Sequence, residues 1–61
     1  VNLLRLKQVM GRTGLGRSSV YRLISEGAFP KSVSLGGRSV AWVEQEIDDW
    51  IMARIEERDE S

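Results

Sequence analysis

Val9-Met10-Gly11-Arg12-Thr13-Gly14-Leu15-Gly16-Arg17-Ser18-Ser19-Val20-Tyr21-Arg22-Leu23-Ile24, residues 9–24, decides the fold. Leu6, Val9 and Met10 stand at i, i+3, i+4, which is one face of a helix from about Leu6 to Arg12. Gly14-Leu15-Gly16 then breaks the pattern, and Gly14 can take the positive φ that a tight reversal needs. Val20, Leu23 and Ile24 repeat the same spacing, so a second helix is expected from about Arg17 to Glu26. Gly27 suits its C-terminal cap and Pro30 prevents its continuation. Val9 and Val20 are placed to face each other across the turn, with Leu15 filling the space beneath. The outer face of the second helix then carries Arg17, Ser18, Tyr21, Arg22 and Ser25, a set of donors suited to phosphates and base edges.

Downstream the period changes from helical to alternating. Ser32-Val33-Ser34-Leu35 and Arg38-Ser39-Val40-Ala41-Trp42 read as two short strands, with Gly36-Gly37 as a two-residue hairpin turn. A last helix is expected from about Val43 to Arg58, with Val43, Ile47, Trp50, Ile51 and Ile55 as its buried stripe. The fold class expected is therefore mainly α with a small β-hairpin: a winged helix-turn-helix made of a helix-turn-helix, a two-stranded wing and a C-terminal helix. At 61 residues the chain holds one domain at most, residues 1–61. Val9, Leu15, Val20, Ile24, Val40, Trp42, Ile47, Trp50 and Ile51 are its expected core.

Composition narrows the chemistry. There is no cysteine and no histidine, so thiolate metal sites, disulfides and the usual general base are excluded. No apolar run approaches the roughly 20 residues that span a bilayer. A cytoplasmic protein, not an enzyme, without cofactor or metal, is the expectation. The net charge is zero but strongly segregated. Residues 1–43 hold Arg5, Lys7, Arg12, Arg17, Arg22, Lys31 and Arg38 against Glu26, a balance of +6. Residues 44–61 hold eight acids against Arg54 and Arg58, a balance of −6. The local field over a binding face governs attraction to nucleic acid, so zero net charge is no objection.

These features mark double-stranded DNA as the partner. Arg22, mid-helix, is the first candidate for a bidentate contact to guanine, with Tyr21 and Ser18 touching bases or nearby phosphates. Arg17 and Ser19 in the first turn, Lys31 before the first strand and Arg38 at the wing are expected to hold the backbone.

Leu6-Lys7-Gln8-Val9-Met10 with Arg12-Thr13-Gly14-Leu15, then Arg17-Ser18-Ser19-Val20-Tyr21-Arg22-Leu23-Ile24, resemble the AlpA-type prophage regulators. So do Gly27 with Phe29-Pro30-Lys31, Leu35-Gly36-Gly37-Arg38, and Trp42 with Trp50-Ile51. The likeness runs from about Leu4 to Ile51. That family is similar to phage excisionases and to the DNA-binding heads of MerR regulators. The resemblance implies a winged helix-turn-helix transcription factor of a prophage or integrative element, with residues 17–26 as recognition helix and 33–42 as wing. Gly16 stands where the family often has a serine N-cap, and is an acceptable cap itself.

The same residues admit other readings. Gly11, Gly16 and Ser18 have the spacing of a phosphate-binding loop, but the preceding segment is helical and the chain is too short for the sheet such a loop needs. Glu44, Glu46, Asp48 and Asp49 read as a solvated helix face rather than a metal site. Trp42 and Trp50 sit on apolar stripes and read as core rather than as platforms for unpaired bases. Phe29 is expected to plug the base of the wing. Two alternatives stay open: an excisionase-type recombination directionality factor, and a protein-interaction module using the acidic last helix. Met52 and Ile55 on that helix offer a strip for self-association or a protein partner.

Overall fold

The computed structural model describes residues 1–60. Three helices and a three-stranded antiparallel sheet follow in the order β1 (Leu3–Leu4), α1 (Leu6–Thr13), α2 (Arg17–Ser25), β2 (Val33–Gly36), β3 (Ser39–Val43) and α3 (Glu44–Glu60). This arrangement is compatible with a winged helix-turn-helix. Among the described residues no helix is long and apolar enough to cross a membrane.

The α1–α2 reversal is held by its own polar groups. Gly14 is left-handed at φ 73°, and its N–H reaches the Met10 carbonyl at 2.9 Å. The Thr13 hydroxyl donates to the Val9 carbonyl at 2.8 Å and accepts the Leu15 N–H at 3.3 Å. The first helix thus ends with the Met10 carbonyl answered by Gly14 and with the Thr13 hydroxyl tying Leu15 to the helix end. At the far end of α2, Ala28 N–H bonds the Leu23 carbonyl and Gly27 N–H bonds the Ile24 carbonyl. With Gly27 left-handed, this is a Schellman closure.

One apolar cluster joins the elements. Val9, Val20, Trp42 and Ile47 are fully buried, and Leu4 and Phe29 nearly so. Leu6, Met10, Leu15, Leu23, Ile24, Val40, Trp50 and Ile51 pack around them. Both tryptophans also fasten the segment between α2 and β2. Trp42 Nε1 donates to the Pro30 carbonyl at 3.0 Å, and Trp50 Nε1 donates to the Ala28 carbonyl at 2.7 Å. Phe29 meets Trp50 edge to face with ring centroids 4.8 Å apart, a favourable aromatic geometry.

Four expectations need correction. The sheet has a third strand: Leu3 pairs with Val43 and Leu4 with Trp42, so β3 is central and the order is β1-β3-β2. A two-residue strand has no alternation for a sequence reading to detect. Val43 consequently ends β3 and is not the first residue of the last helix. Its i, i+4 relation to Ile47 imitates helical spacing. The two turn residues are Gly37 and Arg38, not Gly36-Gly37, because Gly36 pairs with Ser39. The slip arises from an irregularity between Ser34 and Gly36 that leaves Leu35 without a partner. Finally, Ile55 is exposed and does not complete a buried stripe. The core ends near Ile51, and every described residue from Met52 onward is exposed.

Candidate nucleic-acid interface

The charge segregation read from sequence is partly consumed by tertiary structure. Glu44 and Asp48 lie one turn apart on α3 and together grip Arg12 of α1. Arg12 Nη2 lies 2.8 Å from Glu44 Oε2, and Nη1 lies 3.0 Å from Asp48 Oδ1. The acids expected on a solvated face therefore brace α1 against α3. The start of α3 is tied down from the other side as well, since its Glu44 N–H donates to the Asn2 carbonyl at 2.9 Å. The remaining six cations of residues 1–43 have no ion pair among the described residues.

Four of those six meet. Arg5, Lys7, Arg17 and Arg38 line one open depression of about 410 Å3, together with Leu6, Tyr21 and Val40. No carboxylate lines it. Arg17 and Tyr21 are one turn apart on α2, so they share a helix flank. Tyr21 is held there by Trp42, with ring centroids 6.4 Å apart and an edge-on contact. Leu6 and Val40 are half-buried and pack against the core.

The other candidates on α2 divide by rotation about the helix. Ser18, Arg22 and Ser25 fall along the next strip and are exposed. Ser19 is half-buried. The N-cap of α2 is Gly16, with no side-chain cap. The first backbone bond across it is Val20 N–H to the Gly16 carbonyl at 3.1 Å. The N–H groups of the preceding first turn therefore point outward beside Arg17 and Ser18.

Lys31 is not brought to these residues. It lines a different, larger depression of about 830 Å3 between the 27–33 segment and α3. Glu46 and Asp49 share that depression, with Phe29, Trp50 and Arg54. Arg54 stacks over the Trp50 ring at 5.4 Å and pairs with Glu57 at 2.8 Å. That concavity is of mixed charge.

Two residues of the basic depression, Arg5 and Lys7, were counted in the charge balance but not singled out as site residues. Their number alone gave the only signal. Which way they face depends on how α1 leaves β1. Arg5 occupies the N-cap position of α1, where its N–H donates to Gln8 Oε1 at 2.9 Å. A guanidinium has no acceptor to cap a helix with, and the Arg5 side chain is exposed at the depression.

The phosphate-loop spacing of Gly11, Gly16 and Ser18 falls across the end of α1, the turn and the first turn of α2. The element before it is a helix, which is the wrong setting for such a loop.

Residues 2–55 match the sequence model of a family described as "Prophage CP4-57 regulatory protein (AlpA)". The chain is similar to an uncharacterized protein, ORF88, of Enterobacteria phage P4, with 50% identity over 52 residues. That alignment covers 85% of this chain and 59% of the phage protein, so the chain spans less than two thirds of that relative. It is also similar to the DNA-binding transcriptional activator AlpA of Escherichia coli (strain K12), with 38% identity over 60 residues. There the alignment covers 88% of this chain and 86% of the other.

Proposed function

The chain belongs to the AlpA family of prophage regulatory proteins, and from that premise we propose that it is a sequence-specific transcriptional regulator that binds double-stranded DNA. In this reading residues 1–61 act as a single winged helix-turn-helix domain of a prophage or integrative element. α2 lies in the major groove, and the β2–β3 hairpin follows the backbone. The observation that carries the reading is an exposed strip of Ser18, Arg22 and Ser25 on α2 beside a depression lined by four cations that have no ion pair among the described residues. An exposed helix with free donors on one strip and a cationic trough on the next matches base edges flanked by phosphates.

Arg22 contacts guanine in this reading, and Ser18 and Tyr21 reach bases or the nearest phosphates. Arg17, Ser19, Lys31 and Arg38 are the backbone candidates that the sequence offers. The fold supports Arg17 and Arg38 most directly, because both line the basic depression.

The test is a fluorescence-anisotropy titration of wild type and Arg22→Ala. Duplex DNA from beside the gene's own promoter is compared with a scrambled duplex. Arg22→Ala should lose about 1–3 kcal/mol on the promoter duplex, roughly 5- to 150-fold, and much less on the scrambled one. Equal losses on both would show that Arg22 does not read a base. No wild-type binding to either duplex at low salt would end the DNA-binding reading.

A further inference from the structure

We infer that one DNA strand's phosphates run through the Arg5–Lys7–Arg17–Arg38 depression, making Arg5 and Lys7 backbone contacts and leaving Lys31 outside the interface. The inference rests on the DNA-binding reading above and specifies where the backbone passes.

Three observations support it. The first is convergence. Arg5 and Lys7 come from the start of α1, Arg17 from the start of α2 and Arg38 from the hairpin turn, and all four line one concavity without a carboxylate. Like charges gathered in one trough repel one another, and a polyanion relieves that repulsion. The second is availability. None of the four has an ion pair among the described residues, whereas Arg12, close by in sequence, is gripped twice. The third is support. Leu6 and Val40 pack on the core and Tyr21 leans on Trp42, so the floor of the trough is anchored to the interior. Lys31 presents the opposite case. The concavity it lines contains Glu46 and Asp49, whose charges repel phosphate.

The experiment measures how the affinity of the full chain for a random-sequence duplex falls with salt. Each phosphate neutralised contributes about 0.9 to the slope of log K against log salt. Arg5→Ala/Lys7→Ala should reduce the slope by about 1.8 and weaken promoter and scrambled duplexes by the same factor. The charge-preserving pair Arg5→Lys/Lys7→Arg should keep the wild-type slope, as should Lys31→Ala. Arg5→Ala leaves the backbone N–H bond to Gln8 in place, so the fold is expected to persist. Should the double variant nevertheless melt, Arg5→Gln and Lys7→Gln singly should each lower the slope by about 0.9.

An unchanged slope in the neutralised variants overturns the inference, and so does a loss in Lys31→Ala. A wild-type protein without salt-dependent binding overturns the DNA reading itself, a result distinct from either.

Discussion

The chain reverses twice around the candidate interface, at the α1–α2 turn and at the β2–β3 hairpin. Both reversals use glycine at positive φ, 73° at Gly14 and 55° at Gly37. Their surroundings differ sharply. Beside Gly14, Thr13 and Leu15 are bonded into the helix end, and Val9 and Val20 are fully buried on either side. Beside Gly37, all of β2 is exposed, with Leu35 at 48% of its free accessibility. Only the β3 side of the hairpin, through Ala41 and Trp42, enters the interior. The first reversal therefore fixes the angle of α2, while the second delivers a cation, Arg38, in a turn beyond a strand that contributes little to the core. The molecule thus joins a firmly seated helix to a hairpin whose outer strand can open locally.

The sharpest way to break this contrast is Trp42→Ala, which acts on the residue the two regions share. Trp42 is fully buried, donates to the Pro30 carbonyl and supports Tyr21. Its removal should cost about 3–5 kcal/mol. That is comparable to the whole stability a core of this size supplies, so a thermal melt should show the variant largely unfolded at 25 °C. A cooperative melt within a few degrees of wild type would show that the interior does not depend on the sheet.

A subtler test replaces each turn glycine by alanine. A Cβ meets open space at both Gly14 and Gly37, so the direct penalty is conformational, about 1–2 kcal/mol in the left-handed region. Gly14→Ala should transmit that loss to global stability in denaturant. Gly37→Ala should cost less than about 0.5 kcal/mol globally, because an exposed tip relaxes locally. Equal losses would place the hairpin inside the cooperative unit and erase the distinction. Leu35→Ser should have the smallest effect. The residue has no cross-strand partner and lies exposed, so its midpoint should stay within about 0.5 kcal/mol of wild type.

What could be read in the sequence follows the same divide. The bounds of α1 and α2 were legible to within a residue or so, because each has three apolar positions at helical spacing and each is closed by a glycine, Gly14 and Gly27. The irregularity at Leu35 was not, since alternation alone carries no record of a skipped partner. β1 was too short to show a pattern. The Arg12 grip joins residues 32 and 36 positions apart, so nothing local announces it. That grip changed the meaning of the charge balance: Arg12 and two acids counted on opposite sides are paired with one another rather than left free on separate faces. Arg5 and Lys7 were visible as charges, but their direction depends on β1 pairing with β3 before α1 begins. Trp42 and Trp50 were legible as packing residues. Their hydrogen bonds to the Pro30 and Ala28 carbonyls depend on a loop path that composition does not encode.

The contact between Tyr21 and Trp42 has an optical consequence. The phenol sits on the flank of α2 that lines the basic trough, and the indole is sealed in the interior with its N–H occupied. At 6.4 Å between ring centres the two are a built-in donor and acceptor of excitation energy. Light absorbed by the lone tyrosine passes inward as long as α2 stays seated on the sheet. Trp50 emits as well, so the signal of this contact is the quenching of tyrosine emission, which needs no label attached to the surface.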